Sequence, residues 1–134
     1  MRKAAVVYWS GTGNTRNMAE IIAGAIGADL FTAADFNGGM VRDYDAIAFG
    51  CADMGAEELE DSEFAPMFET CKPELNGKKI GLFGSYGWGG DWIDAWQGDC
   101  EAVGANVVGT VKCLEAPDDA ARAACEALAR ALAE

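Results

Sequence analysis

A cluster of hydroxyl, amide and glycine residues near the start of the chain has the composition of a phosphate-binding loop. The cluster reads Ser10-Gly11-Thr12-Gly13-Asn14-Thr15, and it lies between an apolar run and a segment with helical spacing. Its backbone N–H groups would therefore lie at a helix N-terminus, where the helix dipole favours an anion. The glycines allow the backbone to curl around that anion, with several N–H groups pointing inward. Because the loop contains no lysine or arginine, the anion would be held mainly by neutral donors.

Two common phosphate motifs are absent from this segment. No Gly-Lys-Ser/Thr occurs at the spacing that GxxxxGK[ST] requires, and a GxGxxG pattern starting at Gly11 finds Arg16 in place of its third glycine. A helix cap alone needs one Ser, Thr or Asn, whereas this loop has four such residues in six positions. The sequence therefore predicts a phosphate site that is not a dinucleotide site.

Charge and composition exclude several classes of function. The 134 residues include 22 acids, 10 bases and no histidine, so the formal charge is −12, and Ser-His-Asp triads and histidine metal sites are impossible. A nucleic-acid backbone is a poor partner for such a surface, because phosphate contacts rely on Lys and Arg. Basic protein surfaces are better partners, since opposite charges steer association.

The five cysteines form no CxxC pair, which predicts reduced, mostly buried thiols rather than disulfides or a metal site. The N-terminus lacks the apolar region of a signal peptide. No apolar run approaches the roughly 20 residues of a membrane span. We therefore expect a soluble, cytoplasmic protein that binds neither membrane nor nucleic acid.

Short apolar runs alternate with helical patterns along the whole chain, which predicts one α/β domain over residues 1–134. The predicted strands span residues 4–9, 28–32, 46–50, 79–84 and 105–111. The predicted helices span residues 14–26, 63–71, 92–103 and 118–132. This alternation predicts a parallel sheet covered by helices on both faces. Ligands of such sheets bind outside the carboxyl ends of the strands, so the loops after the first, third, fourth and fifth strands are the candidates.

Three of these segments resemble flavodoxins. The run Tyr8-Trp9-Ser10-Gly11-Thr12-Gly13-Asn14-Thr15 is similar to the flavodoxin phosphate loop, [ST]-x-T-G-x-T. Residues 50–59 resemble the short-chain flavodoxin loop that covers the inner face of the flavin. The run Gly84-Ser85-Tyr86-Gly87-Trp88-Gly89 resembles the loop over the outer face. By these motifs the chain is identified as a member of the short-chain, clostridial-type flavodoxins. The resemblance implies a three-layer α/β/α fold, a five-stranded sheet of order 2-1-3-4-5 and a monomer.

The resemblance also implies a non-covalently bound FMN and a set of residues that hold it. In this family the positions of Met54 and Trp88 sandwich the isoalloxazine ring. The Gly55 carbonyl turns to accept a bond from N5–H in the semiquinone, and Ala56 makes this gain moderate. Glu57 accepts from N3–H. The implied FMN-binding residues are Ser10, Gly11, Thr12, Gly13, Asn14, Thr15, Ala52, Asp53, Met54, Gly55, Ala56, Glu57, Ser85, Tyr86, Gly87, Trp88 and Gly89.

The chain departs from the family pattern at three places. Ala52 stands where a serine is common, the segment after Trp88 is about one residue short, and Glu115 stands where an asparagine often meets the flavin. These differences affect the ring environment rather than the phosphate site.

Acidic residues are concentrated in the segments that would flank the flavin. Residues 43–71 contain nine acids and residues 80–111 contain four, and neither segment contains a base. Negative surroundings raise the energy of an anionic reduced flavin. We therefore expect a low-potential one-electron carrier that cycles mainly between semiquinone and hydroquinone. Its expected partners are redox proteins with basic docking surfaces, such as flavodoxin or ferredoxin reductases and other oxidoreductases.

Two other functions are compatible with parts of this pattern. One is an FMN-dependent NAD(P)H or quinone reductase of the same fold, which would need a hydride-donor pocket above the ring. Coverage by Met54 and Trp88 disfavours such a pocket. The other is a flavin-free phosphate-binding or signalling domain, for which the expected Asp cluster and lysine are missing. We therefore expect an electron-transfer protein rather than an enzyme.

Overall fold

Parallel strands from five apolar segments form one sheet, in a computed structural model that describes residues 3–11, 13–52, 59–87 and 91–134. The strands are β1 (Ala4–Trp9), β2 (Asp29–Thr32), β3 (Ala46–Cys51), β4 (Lys79–Tyr86) and β5 (Asn106–Leu114). They pair in the order β2-β1-β3-β4-β5, which confirms the order implied by the flavodoxin resemblance. β3 is buried at every position, as expected for a central strand of a sheet covered on both faces.

Helices cover both faces of the sheet and give it two separate apolar cores. The helices are α1 (Asn14–Ile26), α2 (Phe64–Cys71), α3 (Trp92–Ala102) and α4 (Asp119–Ala133). Aromatic residues of α2 and α3, including Phe64 and Trp96, pack on one face, whereas α1 and α4 contribute Met18 and Leu128 to the other. The predicted three-layer α/β/α architecture is confirmed. Across the described ranges, every helix is too short or too polar to cross a bilayer.

The last two strands are longer than the sequence predicted. β4 continues two residues beyond Gly84, because Ser85 pairs with Cys113 and Tyr86 pairs with Leu114 in the parallel ladder. Ser85 and Tyr86 therefore belong to a strand and not to the loop in which the motif placed them. The remaining strand and helix ends lie within one residue of the predicted ones. All five cysteines are buried, as the sequence predicted, and none of them forms a disulfide in the structure.

The carboxyl ends of β1 and β3 lie side by side at the point where the strand order reverses. β2 and β3 flank β1 on opposite sides, and Trp9 at the end of β1 pairs with Cys51 at the end of β3. The segments that follow these two strands consequently diverge from one edge of the sheet. Such a divergence is the usual site of ligand binding in open α/β folds.

Candidate functional site

A tight turn connects β1 to α1 and leaves the helix N-terminus at the sheet edge. Gly13 adopts φ 97° at the helix N-cap, in the left-handed region that favours glycine. The Gly13 N–H donates to Ser10 Oγ at 3.0 Å, and the Asn17 N–H donates to the Gly13 carbonyl at 3.0 Å. The turn therefore ends in a helix whose first N–H groups face away from the helix body.

The N-terminus of α1 differs from those of α2 and α4 because its cap residue has no side chain. In α4, the Asp118 carboxylate accepts from the Ala121 N–H at 2.8 Å. In α2, the Glu60 carboxylate accepts from the Phe64 N–H at 2.9 Å. At α1 the cap is Gly13, and the first turn contains no acid. The positive end of the α1 dipole is thus left for an anion from outside the chain.

A cavity of about 450 Å³ opens beside this turn. Its volume lies within the range of small-molecule sites, which is roughly 300–1,000 Å³. The described residues that line it come from β1 and its loop, from α1, from the end of β2 and from the start of α2: Tyr8, Trp9, Ser10, Gly11, Gly13, Arg16, Thr32, Ala33 and Glu63. The cavity therefore combines aromatic walls with polar groups near an open helix N-terminus.

Hydrogen bonds connect the first turn of α1 to the ends of β4 and β5. The Ser85 N–H donates to Thr15 Oγ1 at 3.2 Å, and Ser85 Oγ donates to the Glu115 carbonyl at 2.6 Å. The Glu115 N–H donates in turn to the Tyr86 carbonyl at 2.8 Å. Thr15 and Ser85 are both buried. These bonds fix the predicted phosphate-loop threonine to the strand that carries the third motif.

The two ends of the segment between β3 and α2 are held together. The Glu60 N–H donates to Cys51 Sγ at 3.4 Å, and the Trp92 indole N–H donates to the Cys51 carbonyl at 3.1 Å. Both bonds are buried. The segment predicted to cover the inner flavin face therefore leaves and rejoins the described structure at a fixed neck, formed by Cys51, Glu60 and Trp92.

Glu60 stabilises this neck through its carboxylate. Oε1 accepts from the N–H groups of Glu63 and Phe64 at 2.7 and 2.9 Å, and Oε2 accepts from the Ser62 N–H at 2.8 Å and from the Ser62 hydroxyl. Burial raises the pKa of Glu60, but the bonds from Ser62, Phe64 and Glu63 outweigh that effect and lower the pKa to about 2. Glu60 is therefore an ionised cap of α2.

Glu60 is one of the nine acids counted between residues 43 and 71. The structure adds that its carboxylate is buried and that backbone N–H donors at the start of α2 stabilise its negative charge.

The structure brings together some of the sequence-predicted site residues. Ser10, Gly11 and Gly13 line the cavity, Asn14 begins α1, and Thr15 bonds to Ser85. Ala52, Tyr86 and Gly87 follow β3 or end β4 along the same sheet edge, without lining this cavity, and the Tyr86 ring packs 6.0 Å from that of Trp92. The predicted site residues that lie outside the described residues are Thr12, Asp53, Met54, Gly55, Ala56, Glu57, Trp88 and Gly89.

The sequence-predicted binding residues did not include six residues of the cavity wall: Tyr8, Trp9, Arg16, Thr32, Ala33 and Glu63. Thr32 and Ala33 were missed because the end of the second strand was not considered a ligand loop. The parallel order places that end beside the end of β1. Arg16 supplies the only positive charge among the described lining residues and forms a 3.7 Å ion pair with Glu20.

Comparison with known proteins gives consistent matches over nearly the whole chain. A family model described as "Flavodoxin" matches residues 6–128. The flavodoxin of Megasphaera elsdenii is 49% identical over 135 residues, which cover 96% of this chain and 97% of that protein. The flavodoxin of Clostridium beijerinckii is 42% identical over 126 residues, which cover 90% of this chain and 91% of that protein.

Solved structures agree with these matches. The solution structure of two-electron reduced Megasphaera elsdenii flavodoxin has a TM-score of 0.87 at 48% identity, covering 97% of this chain and 98% of that one. A flavodoxin structure from the domain Archaea has a TM-score of 0.83 at 30% identity, covering 98% of this chain and 96% of that one.

Proposed function

The chain belongs to the flavodoxin family, and we propose that it works as a low-potential one-electron carrier between redox proteins. Flavodoxins are electron-transfer proteins rather than enzymes, and they bind FMN as cofactor. The bound FMN supplies the redox chemistry, because its ring accepts and releases electrons one at a time. None of the relatives reported above carries the name of a reductase, so the reductase alternative is unsupported.

The observation that carries this proposal is the open N-terminus of α1 beside the cavity. A phosphate is a dianion that binds where N–H and hydroxyl donors converge. The first turn of α1 provides backbone N–H groups and contains no acid, and Ser10 and Gly13 line the adjoining cavity. The residues present therefore fit the phosphate end of FMN. The aromatic wall formed by Tyr8 and Trp9 supplies apolar surface next to it.

The ring would be held by the segments that leave β3 and β4. In this proposal Met54 and Trp88 contact the two faces of the ring, since thioether and indole groups both interact well with aromatic surfaces. Glu57 would accept a hydrogen bond from the ring edge, and the Gly55 peptide would adjust to the redox state. The fixed neck at Cys51 supports this assignment, because it holds the ends of the first segment near the end of β1.

The acidic composition supports a low potential. Residues 43–71 and 80–111 contain 9 and 4 acids and no base. Asp61, Glu63 and Asp91 follow the carboxyl ends of β3 and β4, whereas Asp43 and Asp45 precede β3 and Glu101 lies in the last turn of α3 at the opposite edge. The proposal of a low potential therefore rests on the negative charge at the carboxyl edge. Its field disfavours addition of the second electron to the ring.

Reconstitution with FMN tests the function directly. The protein freed of flavin should bind one FMN, with weaker binding of riboflavin, because only FMN carries the phosphate that the α1 N-terminus accepts. Anaerobic titration with a stoichiometric reductant should show two resolved one-electron steps in the visible spectrum. NADPH alone serves as the control and should give no steady turnover. Failure to bind FMN would overturn the proposal, and sustained oxidation of NADPH would indicate a reductase.

Docking of the acidic surface on basic partners predicts how the rate of electron transfer depends on ionic strength. Electron transfer from the reduced protein to a basic haem protein should slow by on the order of tenfold or more between low and moderate ionic strength, since salt screens steering. An acidic haem protein of similar potential is the control, and its rate should rise with salt. Stopped-flow absorbance measures both rates, and equal salt dependence for the two acceptors would contradict basic docking.

A further inference from the structure

The buried contact between Thr15 and Ser85 constrains what the Thr15 hydroxyl can do. A threonine hydroxyl has one proton to donate and two lone pairs that accept. The Ser85 N–H occupies one lone pair at 3.2 Å, and no described residue accepts the Thr15 proton. Thr15 is only 1% exposed, so bulk water does not readily satisfy that donor. A buried donor at the second residue of α1 is thus uncommitted within the described residues.

Ser85 is itself held in place by β5. Its Oγ donates to the Glu115 carbonyl at 2.6 Å, and Glu115 adopts φ 57°, which turns the chain at the end of β5. This left-handed conformation is uncommon for a residue other than glycine and is tolerated where surrounding contacts impose it. Here the contact to Ser85 and the bond from the Glu115 N–H to the Tyr86 carbonyl impose it.

A second contact attaches the same turn of α1 to β5. Cys113 Sγ lies 3.5 Å from Met18 Sδ and 3.5 Å from the Glu115 carbonyl oxygen. Met18 lies three residues after Thr15, so both residues project from the same face of α1. Burial raises the pKa of the Cys113 thiol, which therefore stays protonated and can donate. The start of α1 is consequently anchored at two points to the ends of β4 and β5.

We propose that Ser85 is a positioning residue for the phosphate site, acting through Thr15 rather than by touching the flavin. The Ser85 N–H occupies a lone pair of the Thr15 hydroxyl and thereby directs the hydroxyl proton toward an anion at the α1 N-terminus. The Ser85 hydroxyl, bonded to the Glu115 carbonyl, holds Ser85 in register for this task. The ligand is a phosphate monoester, and the inference rests on the proposed FMN-binding function.

The test compares FMN with riboflavin, which differ only in the phosphate. Thr15→Val should weaken FMN binding by about 10- to 100-fold, as expected for loss of a hydrogen bond to a charged group. Ser85→Ala should weaken FMN binding by about fivefold, because it loosens the positioning without removing the Thr15 donor. Riboflavin affinity should change less than about twofold in both variants. Fluorescence quenching titrations of the flavin-free proteins measure all the dissociation constants.

The double variant separates positioning from direct contact. If Ser85 acts through Thr15, Thr15→Val with Ser85→Ala should bind FMN about as weakly as Thr15→Val alone. Thr110→Val is the matched control. It removes the hydroxyl of an exposed threonine within β5, far from the carboxyl ends of the strands, so FMN affinity should stay within about twofold.

Two outcomes would overturn the inference. Equal loss of FMN and riboflavin affinity in Ser85→Ala would place the serine against the ring or ribityl chain. Additive losses in the double variant would make Ser85 an independent phosphate ligand. Failure of the unmodified protein to bind FMN would instead refute the proposed function itself.

Discussion

Gly84→Ala is expected to lower the free energy of unfolding by about 3 kcal/mol, at the upper end of the cost of overpacking a well-ordered core. A Cβ at this position would lie 2.2 Å from the Cys51 carbonyl oxygen and 2.7 Å from Cζ2 of Trp92. Neither neighbour can yield easily, because the carbonyl belongs to a buried strand and the indole is fully buried. Either β3 or Trp92 must move.

The same substitution should disturb the site. The clash falls on the Cys51 carbonyl oxygen, which accepts the 3.1 Å hydrogen bond from the Trp92 indole N–H, and on Cζ2 of the same indole. That bond is part of the neck from which the predicted inner-face segment leaves β3. We therefore expect FMN affinity to fall by about tenfold or more, corresponding to loss of about 1.4 kcal/mol or more of binding free energy.

A matched control exists in α3, the helix that carries Trp92. Gly98 is exposed in the helix interior, and a Cβ there would have no neighbour within 4 Å. Gly98→Ala should therefore raise stability by about 0.5–1 kcal/mol through helix propensity alone. Urea unfolding of both flavin-free variants measures the difference. Equal stabilities for the two variants would mean that the crowding at Gly84 is relieved at no cost.

The role of Gly84 illustrates what the sequence could not predict. The hydrophobic and helical periods of the sequence predicted the five strands and the four α-helices of the described residues, but not the short 3-10 helices at residues 33–35, 38–43 and 72–74. The need for glycine at position 84 arises from Cys51 and Trp92, which are distant in sequence and meet only in the folded chain. No local pattern marks such an approach.

The end of β4 also could not be predicted from the local sequence pattern. Ser85 and Tyr86 follow a glycine and precede another, so the sequence indicated a loop there. In the sheet they remain paired with β5 because Cys113 and Leu114 continue alongside them. This extension places Ser85 within reach of Thr15. The candidate phosphate loop was predictable because its donors are consecutive, whereas its support from β4 and β5 was not.

Glu60, which precedes α2, shows that the effect of a charged residue also cannot be predicted from composition. Glu60 is one of nine acids between residues 43 and 71, and composition could not distinguish it from its neighbours. Only the fold shows that its carboxylate is 4% exposed and accepts from the N–H groups at the start of α2. Its effect on the protein is therefore opposite in kind to that of an exposed acid, because it stabilises the fold rather than repelling like charges.

Glu60→Gln should lower the free energy of unfolding at pH 7 by about 3 kcal/mol, the value that corresponds to a pKa lowered from 4.5 to about 2. Both carboxylate oxygens accept hydrogen bonds, from Ser62 on one side and from Glu63 and Phe64 on the other. A glutamine amide replaces one acceptor by an NH₂ group that faces N–H donors, so at least one buried donor is left unsatisfied. Glu69→Gln is the control, because Glu69 lies in α2 itself with a 67% exposed side chain, and its ion pair with Lys72 is worth less than about 1 kcal/mol.

The lowered pKa of Glu60 also predicts how the difference in unfolding free energy between the two proteins changes with pH. The folded-state pKa of Glu60 is below the unfolded value, so its contribution is complete above pH 4.5 and is lost as the pH falls toward about 2. The stability difference between the unmodified protein and Glu60→Gln should therefore shrink across that window, whereas the contributions of the other acids cancel in the difference. Urea unfolding at several pH values between 7 and 3 measures it. A difference that stays constant with pH would show that the carboxylate charge is not what stabilises the start of α2.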